Sequence, residues 1–228
     1  MAVDVQLVLN DKLYLRDPQH TSLGKKIIEH SIILIEELGF EDLTFRKLAN
    51  QINCTEASIY RYFENKHLLL LYLMSWYWEW VNYILDIKSH NIFDPITKLE
   101  TAIGSIADAS LDEYTPSYIE MKLLHHIVIT ESTKAYHTKG VDKENKVGLF
   151  LPYKNLAAKL VFLFEEINPD YPYPRLLAST LLDMANSQVF YAQHLKQLTD
   201  IEVDGEDYGQ LKRAMRHIAF ALLGIEEL

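Results

Sequence analysis

The 228 residues carry 49% hydrophobic side chains and a formal net charge of −10. That apolar content excludes a disordered chain, and the lone cysteine, Cys54, excludes an internal disulfide or a cysteine-built zinc site. The acidity argues against a broadly basic nucleic-acid-binding surface. It is unevenly spread, however: residues 21–70 hold six Lys/Arg against seven Asp/Glu, and residues 71–228 fourteen against twenty-two. A local basic face remains compatible with such a chain.

Residues 1–20 are mixed in character, with a turn signal at Asp17-Pro18, and read as an N-terminal extension without an assigned conformation. They lack the basic start and long apolar run of a signal peptide. The longest apolar stretch, 68–85, is interrupted by Glu79 and Asn82 and reads as a core helix rather than a membrane span. A soluble, cytoplasmic protein with no membrane partner is the expectation.

From Ser22 the pattern turns helical. Ile27, Ile28, Ser31, Ile32, Leu34, Ile35 and Leu38 recur at three- and four-residue steps until Gly39 stops the run. Thr44 is placed to cap a short helix over 44–51 whose apolar face is Phe45, Leu48, Ala49 and Ile52. After a break at Asn53-Cys54-Thr55, a second short helix follows over 56–63. Asn65 then caps a helix running to about residue 89. Asp94 with Pro95 opens a helix to about 109, and 116–138 is another amphipathic run. Residues 139–148 lack periodicity and read as a flexible loop. Helices over 149–167, 174–198 and 208–225 complete the chain. No alternating strand run and no internal repeat is present. The fold class is all-α, with about nine helices.

Two short helices joined by a turn of about four residues have helix-turn-helix spacing. In that motif the second helix enters the major groove. Ile59 and Phe63 are four apart and face the core, leaving Glu56, Ala57, Ser58, Tyr60, Arg61 and Tyr62 for the groove and its walls. Small residues at 57 and 58 permit close approach, and hydroxyls with a guanidinium suit base edges and phosphates.

The stretch Gly39-Phe40, Leu43 to Ala49, Ser58 to Phe63, Asn65-Lys66 and Leu68-Leu69 resembles the signature of the TetR family of transcriptional regulators, without a gap across nearly fifty positions. The resemblance implies a helix-turn-helix DNA-binding domain over 21–68 and a helical effector-binding and dimerisation domain over 69–228. It implies that Thr44 caps the motif's first helix and touches a phosphate, and that Arg46 and Lys47 reach backbone or bases. It assigns Glu56, Ala57 and Ser58 to base reading, and Tyr60 and Tyr62 to phosphates and thymine methyls. Lys66 corresponds to a phosphate-contacting lysine at a helix start. Two features depart from the common pattern. Asn53-Cys54 stands where many members have a small residue, and Asn tolerates the left-handed conformation there. Glu56 puts a carboxylate in the reading helix, suited to cytosine N4 or to discrimination against other sites.

The implied function is sequence-specific DNA binding by a homodimer on a pseudo-palindromic operator, with repression released by a small-molecule effector. The dimer forms through the last two helices, 174–198 and 208–225. Trp76, Trp80, Tyr83, Met121 and His125 are candidate pocket residues, with plain core packing the competing reading. No cofactor is implied. His125 and His126 are adjacent and lack the i, i+4 spacing of a metal pair, and no catalytic motif is present. Two other readings compete: a helical protein-interaction module whose helix-turn-helix does not bind DNA, and a helical enzyme. The charge environment of Arg46, Lys47, Arg61 and Lys66 separates the first of these from DNA binding. Neutralisation by Glu36, Glu37, Glu41 or Glu64 favours the interaction module.

Overall fold

The computed structural model describes residues 5–111, 115–205 and 207–226; residues 1–4 of the N-terminal extension lie outside the described residues. Ten α-helices and no β-strand occur among the described residues. They are α1 Ser22–Leu38, α2 Phe45–Gln51, α3 Glu56–Tyr60, α4 Lys66–Ser89, α5 Pro95–Ala107, α6 Met121–Tyr136, α7 Val141–Lys146, α8 Leu151–Ile167, α9 Pro174–His194 and α10 Gly209–Leu223.

The described residues of 1–79 and 112–152 form one compact unit, and those of 80–111 and 153–228 a second. The first unit holds α1–α3, the opening half of α4, α6 and α7. Its core centres on α4, where every residue from Leu69 to Trp78 is buried. A helix apolar on all sides must be surrounded by partners, which is why this stretch is aromatic-rich yet shows no polar face. Ile27, Ile28, Ile32, Leu48, Ile59 and Phe63 complete that core with no exposed surface. The second unit packs α5, α9 and α10 against one another, burying Leu99, Leu181, Leu182, Met215 and Phe220.

Local chemistry sets the helix starts. Thr21, Thr44, Thr55, Asn65 and Asp94 each accept a hydrogen bond from a backbone N–H two or three residues into the helix they open. Each such cap is worth about 1 kcal/mol. The Thr97 hydroxyl and backbone also hold the Asp94 carboxyl below its ordinary range.

Three local readings of the sequence require correction, and the N-terminal extension, left unassigned by the sequence, has a defined structure. The second helix of the motif, α3, stops at Tyr60 rather than Phe63, and Tyr62 and Phe63 follow in a turn in which both amides donate to the Ile59 carbonyl. α6 begins at Met121 rather than near Pro116, because Pro116 opens a separate turn closed by Ile119 N–H. Residues 141–146, expected as a loop, form α7. None of its residues is buried, so no apolar spacing announces it. It is fastened instead by Glu144 Oε1, 2.8 Å from His67 Nε2. The extension, finally, is folded: Leu7, Leu9 and Leu13 are buried, and short 3-10 turns form at Asp11–Leu13 and Pro18–His20.

Gly24 makes the docking of that second turn possible. A Cβ at position 24 would lie 2.3 Å from the Pro18 carbonyl oxygen and 2.5 Å from Pro18 Cα. No side chain fits between these two backbones.

Candidate nucleic-acid interface

The α2–turn–α3 unit is built by capping at both ends of its turn. α2 starts on Thr44, whose hydroxyl oxygen accepts from Lys47 N–H at 3.2 Å. It ends with Asn53 in the left-handed region, φ +54°. Cys54 N–H then reaches back to the Ala49 carbonyl at 3.0 Å, and Asn53 N–H to Asn50 at 3.4 Å. This is the helix-closing pattern that normally takes glycine, and asparagine fills it as the sequence suggests. Thr55 starts α3 by accepting from Ser58 N–H at 3.3 Å. Burial pushes the Cys54 thiol up, and its Sγ donates to the Thr55 carbonyl at 3.4 Å. A raised pKa disfavours the thiolate, the reactive form of cysteine.

Thr44, Arg46, Lys47, Glu56, Ala57, Tyr60 and Arg61 are exposed on this unit. Ser58 is half-buried, and its hydroxyl is 2.8 Å from that of Thr55. The Tyr60 ring leans edge-on against Phe45, with centroids 5.0 Å apart, while 47% of the residue stays exposed. A phenol fixed at its base and open at its tip suits contact with a phosphate or a groove wall.

Lys66 is more committed than its sequence position suggests. Its Nζ donates to the carbonyls of Glu41 at 2.7 Å and Phe40 at 3.1 Å, and it stands 4.8 Å from the Phe40 ring centroid. An ammonium has three N–H donors, so closing the α1–α2 connection leaves one for a phosphate.

Tyr62 departs from the groove-facing expectation. It is only 3% exposed, and its hydroxyl is 2.7 Å from Thr21 Oγ1 at the start of α1. Residues 59, 62 and 63 thus share the buried side of the motif. The three-residue step from Ile59 to Tyr62 was the available signal.

The charges around the motif are open. Among the described residues, no carboxylate pairs with Arg46, Lys47, Arg61 or Lys66. Lys47 Nζ donates only to the Asp42 carbonyl, at 2.8 Å. Two of the acids that might have neutralised them are engaged elsewhere. Glu36 Oε2 lies 2.6 Å from His126 Nδ1, and Glu41 is 3.9 Å from Lys134. Glu131, buried on α6, accepts from Phe40 N–H at 3.2 Å and pairs with Lys134 at 2.6 Å. Glu36–His126 and Phe40–Glu131 thus join the end of α1 to α6.

The five candidate pocket residues are divided. Trp76, Met121 and His125 are buried in the first unit, and Trp80 and Tyr83 belong to the second. His125 Nδ1 is 2.7 Å from the Tyr77 hydroxyl. A cavity of about 570 Å³ in the second unit is lined by Ala192, Lys196 and residues 199–204, and includes none of the five. No group of three or more potential metal ligands occurs among the described residues, and no helix there is long and apolar enough to cross a membrane.

Residues 27–73 match the family described as bacterial regulatory proteins, tetR family. Solved structures share the fold. AibR in complex with isovaleryl coenzyme A and operator DNA is 15% identical, with a TM-score of 0.58 over 85% of this chain and 97% of that one. The ketosteroid transcriptional regulator KstR2 of Mycobacterium tuberculosis is 13% identical, with a TM-score of 0.56 over 92% and 97%. The superantigen PfiT is 14% identical, with a TM-score of 0.54 over 90% and 97%. No curated protein matches in sequence.

Proposed function

We propose that this chain, whose residues 27–73 match the tetR family of bacterial regulatory proteins, is a sequence-specific, DNA-binding transcriptional repressor acting as a homodimer in the cytoplasm. One observation carries the DNA half of the reading. The exposed recognition helix is flanked by Arg46, Lys47, Arg61 and Lys66, and none of these has a carboxylate partner among the described residues. Cations left open beside a helix-turn-helix are what phosphate contact requires. In an interaction module they would be neutralised.

In the proposed complex two α3 helices enter successive major grooves, about 34–36 Å apart. Thr44, Arg46, Lys47, Arg61 and Lys66 hold the backbone. Glu56, Ala57, Ser58 and Tyr60 face base edges. Release follows when an effector binds more tightly to a state whose heads are wrongly spaced, a coupling typically of about 1–3 kcal/mol. AibR, of the same fold, was solved with an acyl-coenzyme A and operator DNA, which supports a ligand-responsive reading. Within the first unit, Trp76, Met121 and His125 are the candidates for effector contact.

Selection from a random duplex library, followed by titration of the enriched sequence, tests this reading. We expect a two-fold symmetric site and a loss of at least tenfold in affinity for Tyr60→Ala combined with Arg61→Ala. Failure of the wild-type protein to enrich any sequence would sink it.

A further inference from the structure

The N-terminal extension is tied into the head by specific contacts. Gln19, 2% exposed, holds Leu7 from both sides. Leu7 N–H donates to its Oε1 at 3.2 Å, and its Nε2 donates to the Leu7 carbonyl at 2.9 Å. Asn10 Nδ2 donates to the Val147 carbonyl at 2.8 Å, just beyond α7. Leu9 and Leu13 are buried. The residues from 7 to 19 are therefore a closed, packed loop.

The far side of this loop runs along the end of the recognition helix. Leu15 N–H donates to the Tyr62 carbonyl at 2.8 Å, and the Arg16 guanidinium lies 5.5 Å from the Tyr62 ring centroid. The ring is buried and its hydroxyl is engaged by Thr21, so Tyr62 cannot itself offer a free donor outward. Arg16 is exposed, and no carboxylate pairs with it among the described residues. Asp17, its neighbour, is occupied: Oδ1 accepts from Gln19 N–H at 2.8 Å, and Oδ2 is 3.4 Å from His20 Nδ1.

We propose that Arg16 is a DNA-phosphate contact, supplied by the N-terminal loop at the edge of the recognition helix where Tyr62 is withdrawn. This rests on the DNA-binding reading above. A guanidinium keeps its charge at any relevant pH and matches phosphate with two parallel donors. Stacking on the tyrosine face limits the orientations it must give up on binding. The contact carries no base information, so it strengthens binding to all sequences alike.

The test uses the full-length protein and a fluorescent duplex of mixed sequence, about 30 base pairs long, titrated at several salt concentrations. Wild type is compared with Arg16→Ala, Arg16→Gln, which keeps the alkyl stem, Arg16→Lys, and Lys88→Ala as a cation remote from the motif. Each variant dimer loses two phosphate-binding cations, one per head, which should lower the slope of log K against log salt by about 2, and affinity by roughly a hundredfold near 0.1 M salt. We expect that change for Arg16→Ala and Arg16→Gln, equally on the selected operator and on mixed sequence. Arg16→Lys should keep the slope and Lys88→Ala should not alter it. Unchanged slopes in both neutral variants, with binding retained, overturn the proposal and leave Arg16 a packing residue. Absence of wild-type binding to any duplex overturns the DNA reading itself, and the two failures are thereby told apart.

Discussion

His125 shows what burial does to a titratable side chain in this molecule. It sits on α6, 5% exposed, with Nδ1 2.7 Å from the Tyr77 hydroxyl. Its pKa falls from 6.5 to about 4, first because burial penalises the imidazolium and second because His126 lies alongside. The unfolded chain therefore takes up this proton at a higher pH than the folded one. Its neutral form gives full stability above pH 6.5, and that advantage drains away as the pH falls toward about 4. The displacement corresponds to about 3 kcal/mol. Urea unfolding of wild type and His125→Gln across this range should show two curves that converge as the solution is acidified, because the variant cannot titrate. Parallel curves would mean that folding does not displace the His125 pKa.

At the scale of elements, the extension is the part whose energetics differ most from its sequence appearance. Leu13 has no exposed surface, so Leu13→Ala should cost about 2–5 kcal/mol in equilibrium unfolding. A loosely attached arm would give a change within about 0.5 kcal/mol, which would contradict the packed loop. The sequence shows why this was hard to foresee. Leu7, Leu9 and Leu13 fit neither a helical nor a strand period over enough residues, and the contacts that fix them, Gln19 to Leu7 and Gly24 to Pro18, become visible only once the chain has folded back. α7 was illegible for the same reason, since it is tethered to His67, far away in sequence. Where a signal is local, sequence and structure agree. Thr44, Asn65 and Asp94 cap as their spacing suggests, and Asn53 takes the left-handed turn. The exposed face of the motif's second helix was legible in the sequence, from Glu56 to Arg61. Its boundary was legible only in the three-residue step from Ile59 to Tyr62, since an aromatic at position 62 also suits a groove wall until the Thr21 hydroxyl is found opposite it.

At the scale of the whole molecule, the net charge of −10 means that the protein repels DNA except where its cations are open. A single head with a handful of phosphate contacts binds weakly at physiological salt. Two linked heads convert the second contact into an intramolecular event and can raise affinity by about 10²–10⁴. The proposed dimer through α9 and α10 is therefore central to the function. Those helices retain apolar side chains in water: Leu176 is 63% exposed on α9 and Leu222 49% exposed on α10. Burying a leucine at an interface contributes about 1.5–3 kcal/mol, and two-fold symmetry counts each residue twice. Sedimentation at micromolar concentration should show a dimer for the wild type. Leu176→Asp combined with Leu222→Asp should give a folded monomer whose operator affinity drops by a hundredfold or more. Phe93→Asp, in the connection between α4 and α5 and 89% exposed, should leave both properties intact, because that connection lies outside the proposed interface. A wild-type protein that sediments as a monomer yet binds its operator tightly would remove the dimer from the mechanism. The four open cations and Arg16 would then have to supply the affinity alone.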